Sequence, residues 1–127
     1  MKITPHFKLS EFHCKDGSPY PEEWIESRLT PLCEALEKIR EDAGGALIVN
    51  SGYRTPAYNK KLGGVEKSQH VQGRAADIQC PGLLSRDLAN IIRDLIKSGE
   101  IPAGGVGLYS SFVHYDTRGR FTFWRGA

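Results

Sequence analysis

The chain has 127 residues, enough for one domain of ordinary size, expected over 1–127, with a core that needs no disulfide. Its 17 basic and 15 acidic side chains leave a net charge of +2, too mild for nucleic-acid binding, and there is no basic stripe with interleaved aromatics. No apolar run approaches the ~20 residues of a membrane span. Cys14, Cys33 and Cys80 are odd in number and lack CxxC spacing, which reads as free or buried thiols rather than a disulfide framework or a thiolate zinc site.

Residues 1–20 read as an ordered arm, with Phe7, Leu9 and Phe12 apolar and Ser10-Glu11 able to open a short helix. Pro19 and Pro21 break it. Over 22–43, Ile25, Leu29, Leu32, Leu36 and Ile39 recur at steps of three and four, which predicts an amphipathic helix. Pro31 predicts a kink or a division into two helices, with Thr30 capping the second, and Gly44-Gly45 ends the run. A strand is expected at 46–49, and a long loop rich in glycine follows over 51–74. A second strand is expected at 74–79, then a helix over 85–98 capped by Ser85. The tail reads as strands at 105–109, 112–117 and 120–124, the last two joined by Arg118-Gly119 as a two-residue hairpin loop. This order gives an α+β fold, a small and mainly antiparallel sheet packed against two or three helices.

Of the four histidines, His70 and His114 lie in chemically suggestive company. A catalytic zinc needs three protein ligands from His and Asp or Glu and one open position, and His70, Asp77 and His114 would supply them. His70 and Asp77 are seven apart, so on a regular strand they would point oppositely. Gly73 between them can provide a turn or bulge. His114 and Asp116 share a strand face, so Asp116 is placed to accept a proton from metal-activated water or to orient a ligand ring. It can equally pair with Arg118 or Arg120, and each histidine can equally be a hydrogen-bonded structural residue. Arg54, exposed where a strand ends at Asn50-Ser51-Gly52-Tyr53, can hold a carboxylate or polarise a carbonyl. Tyr53, Tyr109 and Tyr115 can line a cleft or simply pack. Ser68 can contact substrate or cap a turn.

Taken in order, Ser51-Gly52-Tyr53-Arg54, Ser68-x-His70-x-x-Gly73-x-Ala75-x-Asp77-Ile78 and Gly105-x-Gly107-x-Tyr109 leading to Phe112-Val113-His114-x-Asp116 resemble the M15 family of zinc peptidases. The nearest branch is the short, D-alanyl-D-alanine carboxypeptidase-like group, related to murein endopeptidases and to the hedgehog zinc fold. The opening Phe7-x-Leu9-Ser10-Glu11-Phe12 and the closing 120–124 segment resemble it too. The resemblance implies one Zn2+ held by His70, Asp77 and His114, and Arg54 as the cation that steadies the scissile carbonyl. It also implies substrate contacts at Ser68, Tyr53 and Tyr109, and a peptidoglycan stem peptide or cross-link as substrate. Many members carry the general base three residues before the last histidine. Here that position is Ser111, which cannot serve, and Asp116 is assigned as base in its place, with direct approach of Asp116 to the metal as a second possibility.

The reading is therefore a zinc-dependent peptidoglycan peptidase acting as a monomer, of the phage or prophage endolysin type. With no signal-like segment in 1–6, it is expected in the cytoplasm until released to the cell wall through a pore or carried in a virion. The alternative is a non-catalytic wall-binding or phage structural module braced by zinc.

Overall fold

The arm is pinned by its aromatics. β1 (Lys2–Thr4) and β2 (Phe7–Lys8) pair antiparallel, and a 3-10 turn at Leu9–Phe12 follows. Phe7 and Phe12 are each 1% exposed, so the arm is part of the core. The computed structural model describes residues 1–126.

The apolar stripe from Ile25 onward forms one helical run in three pitches. A 3-10 turn spans Glu22–Trp24, a π turn Ile25–Leu29, and α1 Thr30–Ala43. Pro31 falls in the first turn of α1, the turn in which a helix best tolerates a residue without an N–H. Thr30 does not act as the expected cap. Its hydroxyl donates to the Ile25 carbonyl at 3.0 Å, as does its N–H, and the chain passes from π to α winding without a capped break. Gly44, at φ 74°, closes α1 in the left-handed conformation that favours glycine.

The expected loop after the first strand contains a helix, α2 (Pro56–Lys61). Thr55 caps it by accepting the Tyr58 N–H at 3.1 Å, and Pro56 starts it. α3 (Ser85–Lys97) begins one residue earlier than a Ser85 cap would start it. Leu84 is the N-cap residue and the Ser85 hydroxyl donates instead to the Ser110 carbonyl.

Five strands form the main sheet: β3 (Ile48–Ser51), β4 (Ala75–Gln79), β5 (Gly105–Leu108), β6 (Val113–Asp116) and β7 (Thr122–Arg125), in the order β3-β4-β6-β5-β7. Three pairings are antiparallel and β5–β7 is parallel. The fold is α+β with a mixed sheet. The hairpin expected at Arg118-Gly119 is corrected, because β7 crosses to the far side of β5. The reason is non-local packing. A Cβ on Gly107 would lie 2.7 Å from the Trp124 ring, so glycine there is what lets β7 lie against β5.

Alternation across the sheet separates two jobs. Ala76, Tyr115 and Val106 form one cross-strand row and are all fully buried in the core with α1 and α3 residues such as Leu36, Ile39 and Ile92. One residue further along, Ser51, Asp77, His114, Gly107 and Trp124 form the next row, which faces the opposite way. That row builds the site.

Candidate metal centre

Asp77 and His114 are direct cross-strand partners on β4 and β6. Neighbouring side chains at such a pair lie within reach of one another. His114 Nδ1 is 3.1 Å from Asp77 Oδ1. His70 comes from outside the sheet, on the turn that precedes β4. Gly73, at φ 71°, supplies the reversal expected there, and its N–H returns to the His70 carbonyl. His70 Nε2 thereby reaches 3.2 Å from the same Asp77 oxygen. The three residues are buried, and their ligand atoms all lie within 4.8 Å of one another.

The outer hydrogen bonds fix which ring nitrogens face inward. His70 Nδ1 sits 2.7 Å from the Gly52 carbonyl, which can only accept, so Nδ1 carries the proton and Nε2 presents a lone pair. His114 Nε2 sits 2.7 Å from Asp116 Oδ2, which makes Nε2 the donor and leaves the Nδ1 lone pair facing Asp77. Two imidazole lone pairs and a carboxylate oxygen converge on one point, an arrangement that asks for a cation. Two nitrogens, one oxygen and an open side suit zinc.

The charges agree. Burial alone would raise the Asp77 carboxyl, but hydrogen bonds from His114 and His70 hold it well below the usual carboxylate range. Burial opposes charge on His114, yet its bonds to Asp116 and Asp77 outweigh that and push its pKa above the ordinary value.

Arg54 lies beside the metal-ligand cluster. Its Nη2 lies 3.5 Å from Asp77 Oδ2 and its Nη1 donates to Asn59 Oδ1 at 3.2 Å. Asn59, unforeseen in the sequence, is 2% exposed and also donates to the Val65 carbonyl at 2.8 Å. It ties Arg54 to the loop after α2. Thr55-Pro56 as a helix start four residues ahead was the signal that could have placed Asn59 on an inward helical face. Ser68 is buried beside the site, and its Oγ accepts the His70 N–H at 3.1 Å. Tyr109 lines the cavity, stacked on Phe112 with centroids 4.4 Å apart and accepting from Trp124 Nε1 at 3.0 Å. Tyr53 is placed elsewhere. Its ring packs edge-on against Tyr20 and Trp24, outside the cavity lining. Tyr115 is fully buried, with its hydroxyl on the Pro102 carbonyl.

Asp116 does not look into the cavity. It is fully buried, on the far side of the His114 ring from Asp77. Its Oδ1 accepts from the Gly105 N–H at 2.8 Å and from Arg118 Nε at 3.0 Å, and Oδ2 accepts from Arg118 Nη2 at 2.8 Å. Of the two possibilities read from spacing, orienting a ligand ring matches this geometry. The expectation of Asp116 as proton acceptor, or as direct metal ligand, does not, because both of its oxygens are engaged by Gly105, Arg118 and His114. Gly104 and Gly105 make the room. A Cβ on Gly105 would lie 2.5 Å from Asp116 Oδ2, and one on Gly104 would lie 1.6 Å from the Asp116 carbonyl oxygen.

The site opens into a cavity of about 560 Å³. Arg54, Lys67 and Arg118 bring positive charge to it, Leu62 and Val65 add apolar surface, and Tyr109, Phe112 and Trp124 give it an aromatic wall. Among the described residues, Asp77 is the one carboxylate lining it.

The family model described as Peptidase M15 matches residues 5–116 of the 127-residue chain. The chain belongs to the Peptidase M15 family. No curated protein matches it. The matched segment contains His70, Asp77 and His114 as well as Arg54 and Asp116, so the family assignment and the metal-ligand geometry rest on the same stretch of chain. Membership supports a peptidase acting on a peptide substrate. No helix among the described residues is long and apolar enough to cross a membrane.

Proposed function

We propose that this chain is a zinc-dependent peptidase that hydrolyses a peptide bond in peptidoglycan stem peptides or cross-links, in the manner of a phage or prophage endolysin released to the cell wall. The observation that carries the reading is the convergence of His70 Nε2, Asp77 Oδ1 and His114 Nδ1 beneath an open cavity with Arg54 beside them. A bound zinc would supply Lewis-acid polarisation of a carbonyl and a water made acidic.

The chain's own residues do the rest. Asp77 is the anionic ligand, and Arg54 holds it from the rear while presenting its guanidinium to a substrate oxygen on which negative charge develops. Asp116 fixes the His114 ring and its tautomer and raises its basicity as a ligand. Ser68 holds the His70 turn from its hydroxyl. Tyr109 and Trp124 give the peptide an amphipathic wall to lie on.

A non-catalytic wall-binding module with structural zinc is favoured by one observation: among the described residues, no carboxylate besides Asp77 lines the cavity. Two measurements on the purified protein separate the readings: metal content, and release of new amino groups from purified peptidoglycan with and without chelator. One zinc per chain with chelator-sensitive release is the expected result. Bound zinc with no release from several wall types would overturn the peptidase reading in favour of the module.

A further inference from the structure

Arg118 is committed on one edge only. Its Nε and Nη2 grip the buried Asp116 carboxylate, at 3.0 Å and 2.8 Å. Its Nη1 has no hydrogen bond among the described residues, the side chain is 27% exposed, and the residue lines the cavity. The guanidinium lies 5.5 Å from the Trp124 ring centroid, on the aromatic wall. A fork held this way has already lost its rotamer freedom, so binding to its free edge costs little further ordering. The cavity around it remains net positive when a divalent metal, Arg54 and Lys67 are counted against Asp77 and Asp116. A neutral peptide leaves that charge unanswered, whereas a carboxylate complements it and matches a guanidinium edge.

We propose that Arg118 is a specificity-determining residue whose Nη1 edge receives a carboxylate of the substrate peptide on the Trp124 side of the cavity. This rests on the peptidase reading and names what that site selects. The carboxylate has two possible sources, the peptide's C-terminus or an acidic residue within it.

The test compares three synthetic peptides on the zinc-loaded protein: L-Ala-D-Glu-L-Lys-D-Ala-D-Ala, the same peptide with a C-terminal amide, and the same peptide with D-Gln for D-Glu. Wild type is expected to favour the parent over one of the two amides by about tenfold in kcat/KM, the scale of a charge-assisted hydrogen bond. The disfavoured amide identifies the source. Arg118→Gln should abolish that ratio, and Arg118→Lys should keep part of it. A purely structural Arg118 would slow all three peptides alike and leave the ratio intact, which would overturn the proposal, as would equal treatment of all three by wild type. Metal content is measured for each variant, and Arg118→Lys decides if Arg118→Gln loses zinc. Should wild type cleave none of the peptides, the peptidase reading fails separately, and the same ratio is read from calorimetric affinities. Equal affinities, or no binding of any peptide, overturn the anchor.

Discussion

Asp116 Oδ2 lies 2.7 Å from Nε2 of His114, the ring nitrogen opposite the one that faces Asp77. Removing the charge of Asp116 therefore acts on the metal through the ring. Asp116→Asn is expected to weaken zinc affinity about 10- to 100-fold, the usual effect of losing such a partner. Competition titration with a chromophoric chelator measures it. An unchanged affinity alongside lost turnover would instead make Asp116 a proton carrier.

His114→Ala removes a ligand outright and leaves Asp77 with one imidazole partner. The variant should hold no zinc after dialysis while keeping its far-ultraviolet circular dichroism. Stoichiometric zinc by atomic absorption would sink the assignment.

The space for Asp116 depends on a missing side chain. Gly105→Ala places a methyl 2.5 Å from Asp116 Oδ2. The strand or the carboxylate must shift, at a cost of about 1–3 kcal/mol typical of overpacking. Urea unfolding should show that loss together with weaker zinc binding. A stability equal to wild type would mean that β5 has slack.

Asn59 is the joint between Arg54 and the loop over 62–67. Asn59→Ala leaves the Val65 carbonyl without its donor and frees Arg54 Nη1. Destabilisation of about 1–3 kcal/mol is expected for an unsatisfied buried polar group. Turnover should fall more than zinc content does, since Asn59 touches Arg54 and no ligand. Equal losses of both would argue against a separate role for Arg54.

The arm carries a pH-dependent tether. His6 Nδ1 lies 2.7 Å from Glu37 Oε1, and the His6 N–H donates to Oε2 at 2.8 Å. Burial would raise the Glu37 carboxyl, but these bonds hold it below its ordinary 4.5. A depressed folded-state pKa stabilises fully above the unfolded value and is lost as pH falls through the folded one. The protection of amides over 1–8 relative to their intrinsic exchange rate should therefore fall as the pH drops below 4.5, and Glu37→Gln should flatten the dependence. Protection independent of pH in wild type would show that the arm is held by Phe7 and Phe12 alone.

The legible parts of the sequence were those with local physical causes. The stripe from Ile25 to Ile39, the turn at Gly73 and the alternation that puts His114 and Asp116 on one face could all be read from spacing. So could the candidate ligand set, once Gly73 was allowed to reverse the chain. What spacing could not show was which nitrogen of His114 each neighbour meets. A two-residue step along a strand carries Asp116 past the ring to its far side, and only the folded register tells ligand from support. α2 is too short to show a period, so its Thr55-Pro56 start was the one cue. The parallel seat of β7 is set by the contact of Trp124 with Gly107, residues 17 apart with β6 between them in the chain. The dipeptide turn at Arg118-Gly119 carries no information about that.

The crossing of β7 beyond β5 bears on how the site comes into being during synthesis. Two of the three ligands are present once residue 77 has been added, but the third waits for residue 114, and the aromatic wall for residue 124. The strand that carries Trp124 pairs in parallel with β5 across residues 17 apart in the chain, and non-local pairing of that kind is slower to form than local contacts. A growing or truncated chain thus carries two of the three candidate ligands and lacks the aromatic wall until the strand holding Trp124 has been made.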